Sequence, residues 1–335
     1  MSSAPTPEEI ARDAKWLAQA LDPSGGVARL VAMDRDSYHA ASFLDDRMLQ
    51  ATVDTQIVSW TAIEEAITDS LRSDARWIFH IGHVGSTLIS RMLGEIENVL
   101  AVREPRLLRD LALLPTGIRQ RYVVPVARLM SRTFRDSEIA CVKATSFASE
   151  VAPELVPPGE RALFMYATPH NYIAGILAGE NSITELRSLS EARRERLNGR
   201  GIDIPGQNDA ELAATAWATE MTSLEASAEA MGNRHIAWAD FDAMLGDTDA
   251  ELERVATFFG FTAAPEQLQT IASGPLMKRY SKAPEYEYSA TLRREIIGES
   301  GEQHRRQIDS ALALLEAAAE KSPLLARALA RAMEG

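Results

Sequence analysis

The stretch Arg76–Ile96, RWIFHIGHVGSTLISRMLGEI, constrains the fold more than any other part of the chain. A short apolar run, Trp77–Ile81, enters a small-residue turn, Gly82-His83-Val84-Gly85-Ser86-Thr87. Leu88, Ile89, Met92, Leu93 and Ile96 then recur at helical spacing on one face. Strand, glycine turn, helix is a unit that aims backbone N–H groups and a helix N-terminus at one point, which suits a phosphate or sulfate. Gly82 and Gly85 allow the tight curl, and Ser86 and Thr87 add hydroxyls at the helix start. An ordinary strand–turn–helix corner capped by a hydroxyl residue has the same local pattern, so the rest of the chain must decide between them.

From residue 76 onward, apolar runs alternate with helical patterns. Strands are predicted at Trp77–Ile81, Val99–Val102, Ile139–Lys143, Ala162–Ala167 and His235–Trp238, and helices at Ser86–Glu97, Arg121–Phe134, His170–Ala178 and Glu211–Met231. Near-continuous apolar strands separated by helices imply a parallel sheet covered on both faces. The expected fold class is α/β, a three-layer α/β/α arrangement of the P-loop NTPase type with helical additions at both ends. Residues 1–75 read as a helical N-terminal extension, with Pro7–Leu21 and Asp54–Leu71 periodic and Ser24-Gly25-Gly26 as a break. Residues 76–262 form the α/β core, and 263–335 a basic loop and C-terminal helices packed on it. Residues 185–210, charged and then rich in Gly, Asn and Pro, read as an exposed helix and loop, a candidate mobile lid.

Composition narrows the partners. The 335-residue chain carries a formal charge of −13, which argues against general nucleic-acid binding. No apolar run approaches the roughly 20 residues that span a bilayer, and the acidic start MSSAPTPEEIARDAKW is not a secretory signal. The single cysteine, Cys141, excludes an internal disulfide and fits a reducing, cytoplasmic setting. The histidines and the cysteine show no zinc spacing, so no metal is expected. An anionic ligand therefore needs a local positive pocket. Arg91, Arg103, Arg106 and Arg109 follow the turn, and Lys278, Arg279 and Lys282 cluster late.

In an open parallel sheet, ligands sit beyond the carboxyl ends of the strands. His83–Thr87 follow the first predicted strand, Arg103-Glu104-Pro105 the second, Lys143–Ser146 the third, Thr168–Asn171 the fourth and Asp240 the fifth, and these groups should converge on one rim. The ATP- and GTP-binding loop reads G-x-x-x-x-G-K-[ST], but here Gly85 is followed by Ser86 and the loop has no lysine. The strands at 139–142 and 162–167 also lack a terminal aspartate for magnesium, which disfavours a kinase-like phosphotransferase.

The turn resembles the 5′-phosphosulfate loop of the sulfotransferase family, K-x-G-T-T or R-S-G-T-T after a strand, with Gly82-His83-Val84-Gly85-Ser86-Thr87-Leu88 aligning without gaps. Ala101–Pro105 resembles the heparan sulfotransferase segment whose glutamate is the base, which gives that role to Glu104. His235–Phe261 resembles the family's strand, "Y-E-D-L" and helix ending in "F-L-G". The match spans residues 76–262. It implies transfer of a sulfuryl group from 3′-phosphoadenosine 5′-phosphosulfate (PAPS) to a hydroxyl or amine of a small-molecule acceptor, with no metal, nucleic acid or membrane involved. The amides of Val84–Thr87 would bind the 5′-phosphate, and Lys143 would lie near the sulfonate.

Two positions depart from the family. His83 stands where the loop cation, lysine or arginine, is expected. If His83 supplies that charge, turnover falls as pH rises past its pKa while Glu104 stays ionised, and a flat profile from about pH 6 to 9 removes it from the role. The family reads the 3′-phosphate through R-x-P-x-x-x-x-x-S, where this chain has Ala167-Thr168-Pro169 and Gly175. A late basic loop also contacts that phosphate in the family, so Lys278, Arg279 and Lys282 are the expected substitutes. His170 and Asn171 are candidate adenine contacts, and Trp217 and Trp238 candidate stacking partners. A non-catalytic module binding an anionic nucleotide or a protein on the same fold is the alternative reading.

Overall fold

The structure is a computed structural model describing residues 4–50, 53–68, 71–232, 234–278 and 289–334. Among these residues, β1 (Trp16–Asp22), β2 (Val27–Ala32) and β3 (Thr55–Ser59) make one sheet. A second sheet contains β4 (Arg76–His80), β5 (Val99–Arg103), β6 (Ile139–Lys143), β7 (Arg161–Tyr166) and β8 (His235–Asp240). The second sheet is parallel throughout, in the order β5-β6-β4-β7-β8. Strands β4 to β7 bury nearly every side chain, because the crossover helices cover both faces. The chain leaves β4 for the β5 edge, returns through β6 and crosses to β7 on the far side of β4. The end of β4 is therefore the topological switch point, where such folds bind ligands. The fold is three-layer α/β/α of the P-loop NTPase type.

The core helices fall where the periodicity puts them, with ends shifted by a few residues: Ser86–Gly94, Thr116–Ser131, Pro169–Leu177 and Asp209–Met231. The last is buried along most of its length. The tail helices Arg305–Ala319 and Pro323–Glu334 pack against it and complete that layer. Helix Thr248–Phe259 ends at Gly260, whose φ of 75° gives a left-handed C-cap that costs glycine little. No helix among the described residues is long and apolar enough to cross a membrane.

The helical reading of residues 1–75 is wrong over most of its length. Trp16–Asp22 and Val27–Ala32 form an antiparallel hairpin, and Thr55–Ser59 pairs with β2 to complete the sheet. The Ser24-Gly25-Gly26 break is the hairpin turn, closed by Ser24 and Gly25 N–H groups on Asp22 Oδ1 and by a positive φ at Gly26. The period-2 signal is absent because β1 is buried on both faces, with helix Arg106–Ala112 packed on it. Among the described residues of that region the α-helices are short, Pro7–Arg12, Arg35–Ala40 and Trp60–Ala66, with one 3-10 turn at Asp46–Gln50.

Residues 185–210 follow the expected order of exposed helix and then loop, but the loop is anchored. They carry parts of two helices, Glu180–Ser188 and Ser190–Asn198, and then a loop whose Ile202 and Ile204 are buried in the core. Arg196 and Arg200 pair with Glu150 and hold the segment down. A lid that opens would expose those isoleucines and break both pairs, so the segment is a structural cover.

Candidate active site

The turn after β4 has the geometry of an anion cradle. Gly82, His83 and Gly85 all have positive φ, at 84°, 55° and 62°. Gly85 is the N-cap of helix Ser86–Gly94 and supplies no side-chain cap, so the first amides of that helix are left to a ligand or water. Glycine is required at 85 by contact as well as by φ, since a Cβ there would sit 1.9 Å from Phe241 Cε2. Val84, Ser86, Thr87 and Leu88 bury their side chains and lock the turn from below. Gly82 contributes curvature rather than a donor, because its N–H is already bonded to His80 Nδ1 at 3.0 Å.

Glu104 and Lys143 meet beside this cradle. Lys143, fully buried at the end of β6, donates from Nζ to Thr87 Oγ1 at 3.0 Å and to Glu104 Oε1. The ammonium also faces the ring of Phe43, 5.5 Å from its centroid, so the N-terminal segment roofs the pair. Among the described residues, Glu104 is one of two non-glycine residues with positive φ, 51°, and the other is His83. Left-handed backbone at a non-glycine residue costs about 1–3 kcal/mol and concentrates at functional sites. Burial pushes the Glu104 carboxyl up, but the Lys143 ammonium first and the nearby His80 ring second outweigh it and hold the group well below the usual carboxylate range. Glu104 is therefore an anion fixed against a cation, next to an anion cradle.

The arginine cluster after the turn does not form a positive pocket. Arg103 turns inward and bonds the carbonyls of Tyr38, His39 and Ala41, clamping the end of helix Arg35–Ala40 to β5. Its removal from water lowers its pKa to about 10. Arg91 reaches Ser42 Oγ at 2.6 Å, Arg106 pairs with Asp46 and Asp110, and Arg109 lies over the Phe147 ring. These side chains secure the N-terminal segment and the β5 crossover, and Glu104 takes Lys143 as its partner instead of Arg103 or Arg106. His83 is half-buried, 3.7 Å from Glu185 Oε2 and edge-on to Tyr172.

On the β7–β8 side of the cradle lies a cleft of about 690 Å³, lined among others by His170, Asn171, Asp242, Arg294, Ile297 and Arg305. Asn171 is not a helix cap, since Thr168 caps that helix. It donates to Asp242 Oδ2 at 3.0 Å, and Arg293 bonds Asp242 Oδ1 at 2.8 Å while lying over the Phe241 ring. Phe241, packed against Gly85 of the cradle, and its neighbour Asp242, in the cleft lining, thus join the two. Among the described residues, the cations at this cleft, Arg294 and Arg305, come from the tail helices. Sequence reasoning missed them because that region reads only as amphipathic helix. Lys278 is exposed at the end of the short turn Pro275–Lys278, which lies against helix Ser86–Gly94, while Arg279 and Lys282 fall outside the described residues. Gly175 faces open space.

Trp217 belongs to the interior, and Trp238 is partly buried against the core. Trp217 is fully buried with Nε1 on the Ala167 carbonyl at 2.9 Å, and Trp238 packs against Phe164 and Tyr166. Asp240 caps the helix after β8 by accepting from the Asp242 and Ala243 amides. His80 was not singled out from the sequence. Its signal there is weak, a lone histidine at the end of an apolar run.

No protein-family model matches the chain. No curated protein matches it either. Among solved structures, a sulfotransferase domain from the curacin biosynthetic pathway is similar at 12% identity and a TM-score of 0.41, over 67% of this chain and 87% of that one. The sulfotransferase domain of the Synechococcus PCC 7002 olefin synthase is similar at 16% identity and 0.38, over 65% and 82%. The mouse sulfotransferase SULT7A1 complexed with PAP is similar at 11% identity and 0.39, over 77% and 88%.

Proposed function

We propose that this protein is a sulfotransferase that moves a sulfuryl group from PAPS to a hydroxyl or amine of a small acceptor. The observation that carries the reading is the Glu104–Lys143–Thr87 linkage at the edge of the anion cradle, at the switch point of the sheet. The amides of Val84–Thr87 face the 5′-phosphate of the donor. The acceptor oxygen or nitrogen attacks sulfur, the bond from sulfur to the bridging phosphate oxygen breaks, and adenosine 3′,5′-bisphosphate leaves. Such in-line transfer depends on positioning and charge stabilisation more than on covalent chemistry.

Glu104 takes the acceptor's proton. Paired with Lys143 it is a weak base, because the ammonium stabilises its anionic form. When the Lys143 ammonium turns to an oxygen of the sulfonate, Glu104 loses that stabilisation and its basicity rises as the proton must move. In this reading the cleft beside the cradle takes the nucleoside, and Arg294 and Arg305 read the 3′-phosphate, since Ala167 and Gly175 carry no anion-binding group.

Calorimetric titration with adenosine 3′,5′-bisphosphate, ATP with magnesium, and 5′-AMP tests this. The expected result is binding of the bisphosphate in preference to the other two. Replacing Arg294 or Arg305 with alanine should weaken it about tenfold or more, the order of a lost charge-assisted contact. Equal binding of 5′-AMP means that the 3′-phosphate is not read and the donor is not PAPS. Absence of binding by all three favours the non-catalytic reading, which the loss of the family's arginine and serine supports.

A further inference from the structure

We infer that His80 is a positioning residue of the anion cradle, acting as a neutral imidazole that joins the β4 turn to the strand ends carrying Lys143 and Glu104. Its Nδ1 accepts the Gly82 N–H at 3.0 Å, and its Nε2 lies 2.9 Å from the Ala144 carbonyl oxygen. An amide hydrogen on Nδ1 requires a lone pair there, and a carbonyl at Nε2 requires a proton there, so the two contacts select one tautomer. The same Nε2 is 3.7 Å from Glu104 Oε1. One buried ring thus touches the turn after β4, the residue after β6 and the residue after β5.

The contact with Gly82 governs shape. With its N–H held inward, Gly82 takes a φ of 84° and delivers His83, Val84 and Gly85 into the cradle. A second proton on His80 would set an N–H against the Gly82 N–H and break the bond. Glu104 at 3.7 Å favours that second proton and Lys143 of β6, paired with Glu104, opposes it, while the β7 neighbour Met165 carries no charge. The acid form of His80 therefore releases Gly82 and turns toward Glu104, so the cradle loses its form as the pH falls through the titration of His80. This sign is opposite to that expected if His83 serves as the loop cation, where function is lost as pH rises.

The inference about anion binding rests on the cradle holding the 5′-phosphate of the nucleotide, whereas the inference about His80 and Gly82 does not. Two readouts separate them. The first is hydrogen exchange at the Gly82 amide and nitrogen-15 shifts of His80 in the protein without nucleotide. The second is calorimetric affinity for adenosine 3′,5′-bisphosphate from about pH 5 to 8. Expected are an unprotonated Nδ1, a protonated Nε2 and a protected Gly82 amide at pH 7, with protection lost on acidification. His80→Asn keeps an acceptor at the Nδ1 position and should retain protection and affinity. His80→Phe keeps the ring and its packing but no acceptor, and should lose about tenfold in both, the equivalent of one hydrogen bond, together with the acid-side dependence. A proton on Nδ1 of the wild type, or unchanged Gly82 protection in His80→Phe, overturns the inference without any variant having to bind nucleotide. Gly82 behaving as expected in a protein that does not bind the bisphosphate sinks the functional reading and leaves the role of His80 in shaping the turn standing.

Discussion

Replacing Lys143 with methionine is expected to destabilise the protein by about 3–5 kcal/mol, the range for removing one partner of a buried ion pair, and, under the proposed function, to abolish sulfuryl turnover. The side chain is fully buried and Glu104 retains only 15% exposure, so water cannot take over the lost contact. Methionine keeps much of the volume, which assigns the loss to charge and not to a cavity. The double variant Lys143→Met/Glu104→Leu should recover most of the stability and none of the turnover, because no unpaired charge is left in the core. A denaturant midpoint for the single variant within about 0.5 kcal/mol of wild type would show that Glu104 is solvated and the pair is not a unit.

The pH dependence of stability should change with the same substitution. Glu104 is held below the ordinary carboxylate range in the folded protein, so its contribution is present above the unfolded value of about 4.3 and is lost as pH falls toward the folded one. Without Lys143, burial is opposed by His80 alone and the folded pKa rises toward or past the unfolded value. The acid-side loss should shrink accordingly in denaturant titrations between about pH 2.5 and 5.

Gly85→Ala has the second-largest expected effect, a loss of about 2–5 kcal/mol with binding to the cradle removed. Two costs combine. A left-handed φ of 62° costs a non-glycine residue roughly 1–2 kcal/mol. The added methyl would also overlap the buried Phe241 ring, with contacts of 1.9 and 2.4 Å that force a shift worth about 1–3 kcal/mol. Measured in a Phe241→Leu background, Gly85→Ala should retain only the backbone part, because the smaller side chain withdraws from the methyl. An equal penalty in both backgrounds would place the whole cost in the backbone and remove Phe241 as the reason for glycine at this position.

The core strands were legible because burial on both faces makes them short, continuous apolar runs, and the helices between them carry unbroken periodicity. β6 is found at Ile139–Lys143 with the expected ends, and β4 and β7 lie one residue from theirs. The N-terminal hairpin was not legible, since Trp16–Leu21 is rich in alanine and leucine and is buried on both faces, which removes the alternation that marks a strand. The Ser24-Gly25-Gly26 turn was the better signal, because only a sharp reversal requires that composition.

For the site, local sequence determined the cradle. A strand running into Gly82 and Gly85 with a helix behind them can curl in few ways, and positive φ at both glycines follows from chemistry within six residues. The partners of Glu104 were decided by the tertiary fold alone. Four arginines near it in sequence are directed to carbonyls, carboxylates and a ring, while Lys143, 39 residues away, meets it because β5 and β6 pair in register at Arg103 and Lys143. His80 and the tail arginines 294 and 305 belong to the same category. A side chain's charge is written in the sequence, but its partner is set by which strand ends and helices the packing of the core brings together.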